Sequence, residues 1–599
     1  MEGKKLVKRQ EVPVKYKWSL EEIYADDSLW EKDYIKITEM LPQVQEFKNK
    51  LGESPQSLLQ CLKFQDELGQ VSDKVFVYAQ MRKDENNADP KYQAMKDRAQ
   101  SLMVRVGEAL SFIQPEILAI DNARLTEFLN REPGLALYKF FLEEIMRLKE
   151  HTLSAREEEI IAMAGELAEA PKNIFSMLNN ADIKFPEILD EDGDQVPITH
   201  GNYIKLMESN DRRVRMEAFK GLYHTYGKQK NTLAALLNAS VKKDVFYARV
   251  HKYGSALEAS LYQDNVPVKV YHNLIDTVRS HLHIFYRYVA LRKKLLDVPE
   301  LHMYDIYAPL VKEVKTKISY EDAVKMVEKG LAPLGETYLA DLKKGLENHW
   351  VDVMENEGKT PGAYSWGAYG TNPYVLLNYQ NNLDNVFTLA HEMGHSLHSY
   401  YSWQTQPYPY AYYKIFVAEV ASTVNEILLT KFLLANASDE RQKMYLINHY
   451  LEEFRGTVFR QTMFAEFEKI IHEKVERGEP LTTDVLCEVY FKLNQDYYGP
   501  NMKVDEEIAL EWARIPHFYN AFYVYKYATG FSAASALAEG ILEEGQPAVD
   551  RYLEFLKGGS SDYPLNLLKK AGVDMSDPQP VVQALQVFEE MLTEMEKIV

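Results

Sequence analysis

Apolar residues at intervals of three and four positions dominate this sequence. Clear examples run from Ser28 to Leu51, from Pro90 to Ile120, from Ala155 to Leu178, from Val214 to Lys252 and from Pro267 to Leu296. That spacing places apolar side chains along one face of an α-helix. The sequence therefore predicts a mainly α-helical protein.

One segment interrupts the helical pattern. Between Ile183 and Thr199, short β-prone runs flank an acidic stretch from Asp190 to Asp194, as in a β-hairpin with an acidic turn. At 599 residues the chain exceeds what one hydrophobic core usually supports, so we expect at least two domains. We place the boundary at the hairpin, with residues 1–195 as an N-terminal helical lobe and residues 196–599 as a larger C-terminal domain.

The net charge argues against one class of partner. The chain has 89 acidic and 69 basic side chains and a formal net charge of −20, with no local stripe of Lys and Arg. A field of that sign repels polyanions. We therefore expect no nucleic-acid partner.

The cysteines and the N-terminal stretch bear on location. Cys61 and Cys487 stand alone, without the spacing of a disulfide framework or a thiolate metal site, which suits a reducing compartment. The stretch from Met1 to Trp18 lacks the apolar centre of a signal peptide, and no apolar run approaches the roughly 18 residues of a membrane span. We expect a cytoplasmic protein with no membrane partner.

The most informative motif is His391-Glu392-Met393-Gly394-His395. Two histidines four positions apart lie on the same side of a helix, so both imidazoles can reach one metal ion. With 15 His and 89 acidic residues in 599, chance supplies about 0.06 matches to this spacing. The motif therefore indicates a metal site.

Helix phase supports a metal-binding role for these histidines. An advance of about 100° per residue puts the apolar residues between Val386 and Leu397 on one side and both histidines on the other. Gly394 costs about 1 kcal/mol of helix propensity relative to Ala, which makes sense where another group approaches closely. His398 shares the polar side, but it lies about 10 Å along the helix from His391, too far for both to bind one ion.

A third metal ligand is predicted on a later helix. Catalytic zinc usually has three protein ligands and one open position, and the third ligand beside an HExxH motif is often a carboxylate. Glu419 is the leading candidate, on the polar side of a predicted helix from Ile415 to Leu434. Glu426 lies two turns further along that side, where it can accept the free ring N–H of a ligating histidine. For either residue alone, a solvated acidic stripe is the competing interpretation.

Zinc held by two His and one Glu favours amide hydrolysis. Such a site lowers the pKa of a bound water to about 7. Glu392 is placed to take the proton from that water as general base and to return it to the departing amine. We therefore expect one Zn²⁺ per chain and hydrolysis of peptide bonds.

A segment nearer the C-terminus offers further hydrogen-bond donors. Tyr519, Tyr523 and Tyr527 recur every four residues after His517, a spacing that aligns their hydroxyls on one helix face. Two interpretations stay open. The rings pack at an interface, as buried tyrosines usually do, or His517 and some of the tyrosines donate hydrogen bonds to the substrate or to the oxyanion that forms from it.

Several strings of the sequence resemble oligoendopeptidase F, a bacterial branch of the thimet oligopeptidase-like family of zinc metallopeptidases. Besides the motif that begins at His391, they are FVAEVAST from Phe416, IPHFY from Ile515, SALEASL from Ser255 and GGS from Gly558. The likeness is clear from about residue 183 to the C-terminus. In the N-terminal third it lies mainly in helical character.

The resemblance implies a two-lobed helical metallopeptidase with a deep substrate channel and a small β-sheet beside the zinc site. It implies an endopeptidase that cleaves oligopeptides rather than folded proteins, with residues 196–599 as the catalytic domain. A predicted strand from Pro373 to Tyr379 then provides an edge for pairing with an extended peptide, which gives broad specificity.

The resemblance also implies roles for individual side chains. His517 and the tyrosines that follow it would contact the substrate and the tetrahedral intermediate, and helical phase selects two of these tyrosines. The implied set is His391, His395 and Glu419 for zinc, Glu392 as general base, and His517, Tyr523 and Tyr527 for the substrate.

Two rival functions differ in class. An aminopeptidase or another zinc amide hydrolase can use the same three ligands, and no sequence feature excludes it. A helical binding scaffold without catalytic activity is the second rival, in which the HExxH match is incidental. The sequence predicts neither the oligomeric state nor the preferred side chains at the cleavage site.

Overall fold

A computed structural model describes residues 6–311 and 317–599 of the chain. The predicted mainly α-helical class is confirmed. The α-helices of the described residues are α1 (Asp27–Met40), α2 (Pro55–Glu85), α3 (Pro90–Leu110), α4 (Ile113–Ala119), α5 (Asn122–Arg131), α6 (Lys139–Arg147), α7 (Ala155–Ala168), α8 (Ala170–Met177), α9 (Tyr203–Met207), α10 (Arg212–Lys228), α11 (Lys230–Val250), α12 (Ala256–Tyr262), α13 (Val268–Ser280), α14 (Leu282–Leu295), α15 (Tyr320–Gly330), α16 (Gly335–Glu347), α17 (Leu383–Thr405), α18 (Val420–Ala435), α19 (Glu440–Phe454), α20 (Arg460–Glu476), α21 (Thr483–Tyr498), α22 (Tyr525–Glu544), α23 (Gln546–Leu556), α24 (Pro564–Lys570) and α25 (Gln579–Ile598).

The long apolar segments of the sequence are divided between consecutive helices. The segment from Val214 to Lys252, for example, forms α10 and α11, which meet at Gln229. Gln229 has φ −111° and ψ 6°, outside the α-helical region, and it caps the C-terminus of α10. A break of one residue barely shifts the phase of the apolar pattern, so the sequence alone does not reveal it.

The strands of the described residues are short and form three small sheets. They are β1 (Glu187–Leu189), β2 (Gln195–Pro197), β3 (Leu301–His302), β4 (Val351–Asp352), β5 (Tyr364–Trp366), β6 (Tyr374–Leu376) and β7 (Met502–Lys503). β1 and β2 form the predicted antiparallel hairpin, and the Asp190 carboxylate accepts the backbone N–H groups of Asp192 and Asp194 in its turn. β3 pairs with β7 in a parallel arrangement.

The third sheet corrects the predicted peptide-binding edge. Its strand order is β4-β6-β5, with β6 parallel to β4 and antiparallel to β5. β6, which lies within the predicted strand from Pro373 to Tyr379, is therefore the central strand and has no free edge. The prediction was wrong because alternation of residue types along a strand does not tell which neighbours it has.

The described chain divides into two compact units. One contains residues 6–152, 317–432 and 537–572, and the other contains residues 153–311, 433–536 and 573–599. The predicted boundary near residue 195 stays a prediction. Among the described residues, no helix combines the length and the apolar character needed to cross a membrane.

Each unit has its own aromatic interior. In the first, Trp18, Trp30 and Tyr78 pack in one buried cluster with Tyr374 and Leu376 of β6. The second unit has a cluster of stacked and tilted rings whose centroids lie 4.4 to 5.5 Å apart, formed by Phe285, Phe454, Phe459 and Phe588. Rings of this size bury much of the apolar area that stabilises such a unit.

Candidate metal centre

The helix that carries the motif is α17. The side chain of Asn382 caps its N-terminus by accepting the backbone N–H of Asn385. The predicted apolar side is buried, with Val386, Leu389 and Leu397 at 0% exposure. The side chains of His391 and His395 are 27% and 18% exposed, so the two imidazoles are half-buried on the opposite side.

Gly394 allows the start of α18 to approach the motif helix closely. A Cβ atom at this position would lie 2.6 Å from Cα of Ser422 and 2.8 Å from the carbonyl oxygen of Ala421. Both are backbone atoms, which cannot rotate aside as a side chain can. The predicted close approach at Gly394 is confirmed, and the approaching group is the first turn of α18.

Glu419 lies immediately before that helix. The predicted helix from Ile415 to Leu434 was wrong at its N-terminal end, because α18 begins only at Val420, after a short 3₁₀ turn. The carbonyl of Glu419 accepts the N–H of Thr423, which is the first hydrogen bond of the helix. The apolar pattern continues through the 3₁₀ turn and therefore hides the break.

Three side-chain atoms meet between α17 and α18. Nε2 of His391 and Nε2 of His395 lie 3.2 Å apart, and Oε2 of Glu419 lies 3.4 Å from each of them. Donors bound 2.0 to 2.1 Å from a tetrahedral zinc are about 3.3 Å apart. The three atoms thus fit three corners of a zinc tetrahedron, and among the described residues this is the group able to hold a metal.

Glu426 fixes the orientation of one imidazole. Its Oε2 atom lies 3.1 Å from Nδ1 of His391, so this ring nitrogen donates to Glu426 and Nε2 is directed at Glu419. Hydrogen bonds from His391 and His395 hold the pKa of Glu419 far below its usual range. Burial lowers the pKa of His391, but Glu426 and Glu419 outweigh it and raise that pKa. The carboxylates thus favour positive charge at this centre.

Glu392 is buried beside the histidines, with 7% of its surface exposed. Burial raises the pKa of its carboxyl, and the charges of His391 and His395 partly oppose this effect. A carboxylate with a raised pKa is a stronger base than an exposed one, which suits transfer of a proton near neutral pH.

Asn425 of α18 makes hydrogen bonds to α17 and α16 beside the metal-binding group, and it was not predicted. Its Nδ2 atom donates to the carbonyl of Ala390 at 3.0 Å, and its Oδ1 atom accepts the hydroxyl of Tyr338 at 2.9 Å. The residue is fully buried. One signal was available, because Asn is unusual on the apolar side of a predicted helix and needs buried partners there.

His398 is buried against an aromatic ring. It is 1% exposed and stacks face to face on Tyr413, with ring centroids 3.7 Å apart. Burial lowers its pKa to about 3. It is not part of the group of metal-binding atoms found among the described residues, as its position along the helix predicted.

His517, Tyr523 and Tyr527 form one aromatic cluster in the second unit. The imidazole centroid lies 6.2 Å from each phenol ring, and the two phenol rings are 5.5 Å apart. His517 is exposed, whereas both tyrosines are half-buried. The structure thus brings these three predicted residues together on an accessible face.

The predicted helix through these tyrosines was wrong. His517 and Tyr519 lie in a short 3₁₀ helix, and α22 begins only at Tyr525. Between them Phe522 has a positive φ of 57°, and its N–H donates to the buried carboxyl group of Glu468. This turn carries Tyr523, while Tyr519 is buried against Phe175.

Comparison with known proteins identifies the family. The model of peptidase family M3 matches residues 205–587, and a model described as Oligopeptidase F matches residues 116–185. The chain belongs to peptidase family M3. The chain is therefore a metalloendopeptidase.

Two similar proteins match nearly the whole length of this chain. Oligopeptidase PepF of Bacillus subtilis is 52% identical over 98% of this chain and 88% of its own. Group B oligopeptidase PepB of Streptococcus agalactiae is 43% identical over 99% of this chain and 98% of its own.

Two solved structures support the same assignment. A crystal structure of a putative peptidase from Chlamydophila abortus has a TM-score of 0.94 at 36% identity and covers 99% of this chain and 100% of its own. The structure of oligoendopeptidase-F from Enterococcus faecium has a TM-score of 0.75 at 40% identity and covers 96% and 99%.

Proposed function

We propose that this chain is a zinc-dependent endopeptidase of oligopeptides. The observation that carries the proposal is the triangle of His391 Nε2, His395 Nε2 and Glu419 Oε2, whose edges of 3.2 and 3.4 Å suit tetrahedral zinc. Bound zinc lowers the pKa of water and polarises a carbonyl group. Zinc rather than magnesium or calcium is supported by the two imidazole donors.

Glu392 acts as the general base in this proposal. Its carboxylate takes a proton from the water that attacks the scissile carbonyl and delivers it to the departing amine. Its burial beside both histidines supports this role. Glu426 holds His391 by its second ring nitrogen, which keeps Nε2 unprotonated and available to the metal.

His517, Tyr523 and Tyr527 contact the peptide in the same proposal. Imidazole and phenol groups donate hydrogen bonds to carbonyl oxygens, and such donors stabilise the charge that develops during amide hydrolysis. Their common accessible face supports this role, and burial of Tyr519 argues against a similar role for that residue.

An extended peptide binds along β5. This strand ends the sheet order β4-β6-β5, and it packs beside the motif helix, where Ser365 and Ser396 share a hydrogen bond of 2.8 Å. Backbone hydrogen bonds along a strand edge bind peptides of many sequences. The names of the relatives, oligopeptidase and oligoendopeptidase F, support oligopeptides as substrates.

The domain division and the location are further proposals. Residues 196–599 contain every candidate site residue, from His391 to Tyr527, and we keep this range as the catalytic domain. Two isolated cysteines support a cytoplasmic location.

Peptide mapping tests the function. The zinc-loaded protein is incubated with a ten-residue peptide, either free or N-acetylated, and the fragments are identified by mass spectrometry. We expect internal cleavage of both forms at similar rates. An aminopeptidase would leave the acetylated peptide intact, and a binding scaffold would cleave neither.

A further inference from the structure

The backbone groups of β6 alternate between its two neighbouring strands. The N–H of Val375 donates to the carbonyl of Trp350, which directly precedes β4, at 2.8 Å. Val375 therefore faces β4. Consecutive residues of a strand direct their N–H and C=O groups to opposite sides. Tyr374 and Leu376, on either side of Val375, thus face β5.

The same alternation shows which residue of β5 faces the free edge. Tyr364 lies opposite Leu376 and Trp366 lies opposite Tyr374, so these two residues of β5 make the hydrogen bonds with β6. Ser365, between them, directs its own N–H and C=O away from β6. Among the described strands none covers that side, because β5 ends the order β4-β6-β5. The backbone of Ser365 is therefore the part of β5 that can pair with a peptide.

The side chains of β5 contact two different helices. The hydroxyl of Tyr364 donates to Asp84 of α2 at 2.9 Å, and the Trp366 ring packs edge-on against a phenylalanine of the same helix. Side chains alternate across a strand. That of Ser365 points to α17, where its Oγ atom lies 2.8 Å from Oγ of Ser396. Ser365 thus contacts the motif helix with its side chain and faces the free edge with its backbone.

Ser396 connects this contact to the metal centre. It directly follows His395 in α17, and it is 0% exposed. Within a regular helix the positions of consecutive residues are fixed relative to each other. A single hydrogen bond therefore lies between the strand residue that can pair with a peptide and the neighbour of a candidate metal ligand. Because a hydrogen bond is short and directional, it limits movement of β5 relative to α17.

We propose that Ser396 is a positioning residue for peptide cleavage. Through its hydrogen bond to Ser365, it holds the free edge of β5 at a fixed distance from the group formed by His391, His395 and Glu419. A peptide paired with Ser365 then has a fixed number of residues between the paired residue and the bond that is cleaved. This role rests on the proposed function, since it assumes a peptide that is cleaved at the metal centre.

Small displacements of the strand matter for this role. Successive residues of an extended peptide are about 3.3 Å apart, so a shift well below one residue already moves the scissile carbonyl away from its productive position. A misplacement of about 1 Å can cost about 100-fold in rate. Loss of the Ser365–Ser396 hydrogen bond should therefore act on kcat more than on the affinity for the peptide.

The test uses a decapeptide that cannot be cleaved, because a phosphinate replaces one peptide bond. The phosphinate resembles the tetrahedral intermediate and fixes the position of that bond at the centre. A single N-methyl group is placed on each remaining amide in turn, which removes one hydrogen-bond donor from the peptide. Calorimetry gives the dissociation constant of each peptide for the zinc-loaded protein. Turnover of an N-acetylated decapeptide gives kcat and KM separately.

Ser402→Ala is the matched control for Ser396→Ala. Ser402 also belongs to α17 and is also 0% exposed, and its hydroxyl donates to the carbonyl of Ala411 at 2.6 Å. Both substitutions thus remove one buried hydrogen bond from the same helix. The bond made by Ser402 does not involve β5.

We expect one amide of the peptide to be sensitive in the unmodified protein, where its N-methylation raises the dissociation constant about tenfold, the factor for one hydrogen bond. In Ser396→Ala this factor should fall below about threefold, and kcat should fall about tenfold with KM within about twofold. Ser402→Ala should keep the tenfold factor and a kcat within about threefold of the unmodified protein. Ser365→Ala should match Ser396→Ala, and the double variant should be no worse than either, because both changes remove the same hydrogen bond.

Three outcomes overturn the proposal. One is a Ser396→Ala protein that keeps the tenfold factor, and the second is the absence of any sensitive amide in the unmodified protein. The third is an equal change in Ser396→Ala and Ser402→Ala, which indicates a structural role. If the unmodified protein cleaves no internal peptide bond, the proposed function has failed instead. In that case the dissociation constants of the N-methylated peptides still decide the positioning role by the same criteria.

Discussion

Gly394→Ala tests whether the close approach of α18 to α17 positions Glu419, because the substitution changes none of the candidate metal ligands and leaves Glu392 in place. In an open helix this change stabilises the protein by about 1 kcal/mol. Here the new Cβ lies 2.6 Å from Cα of Ser422, whereas carbon atoms in contact are about 3.5 to 4.0 Å apart. The first turn of α18 must therefore move by roughly 1 Å.

That movement has two calculable effects. Overpacking of a buried contact costs roughly 1 to 3 kcal/mol, so the net loss of stability is about 0 to 2 kcal/mol. Glu419 lies three residues before Ser422 and moves with it. A displacement of about 1 Å at a catalytic centre costs about 100-fold in kcat/KM.

The assay measures three quantities on the purified protein: the free energy of unfolding, kcat/KM for a decapeptide, and zinc affinity by competition with a chelator. We expect the protein to fold, with kcat/KM about 100-fold lower and zinc affinity at least about tenfold lower. Gly107→Ala is the control, because Gly107 lies in α3 and a Cβ atom added there would have no heavy atom within 4 Å. Wild-type activity and zinc affinity in Gly394→Ala would show that the close approach of α18 does not position Glu419.

Three further predictions concern other side chains. Glu426→Gln should lower zinc affinity about 10- to 100-fold, measured by chelator competition, with little change in thermal stability, measured by calorimetry. Unchanged zinc affinity would show that Glu426 does not orient His391 for the metal. Tyr523→Phe and Tyr527→Phe should each lower kcat by about tenfold or more, whereas Tyr519→Phe should not, and equal effects in all three would contradict the assignment. Asn425→Ala should reduce the free energy of unfolding by about 1 to 3 kcal/mol in denaturant titration, because it leaves buried groups unpaired; a loss near zero would show that its hydrogen bonds are dispensable.

Much of the metal centre followed from helix phase. The positions of His391 and His395 opposite a buried apolar side depend only on 3.6 residues per turn, and α17 has that geometry over the whole motif. The role of Gly394 followed from its cost in helix propensity. Both inferences are local, so one sequence was enough for them.

Features that depend on neighbours could not be predicted in this way. The sequence of β6 predicts a strand but does not show which strands flank it. β6 is central because β4 and β5 pair with its two edges. Asn425 could be noticed as a polar residue on an apolar side, but its partners Ala390 and Tyr338 come from other helices.

The tyrosine segment shows a second limit. A spacing of four residues from Tyr519 to Tyr527 suggested a continuous helix, but the turn at Phe522 depends on a hydrogen bond to Glu468, more than 50 residues earlier in the chain. Tyr523 and Tyr527 still lie together, because the turn brings the two rings to 5.5 Å.

The proposed function depends on a zinc-bound centre in which Glu392 acts as the base for cleavage of internal peptide bonds. The most direct measurement is turnover of an N-acetylated decapeptide by Glu392→Gln, with the zinc content of the same sample determined by elemental analysis. We predict one zinc per chain, an unchanged fold and a loss of at least about 10³-fold in kcat relative to the unmodified protein. Near-normal turnover by the zinc-loaded variant would contradict this mechanism.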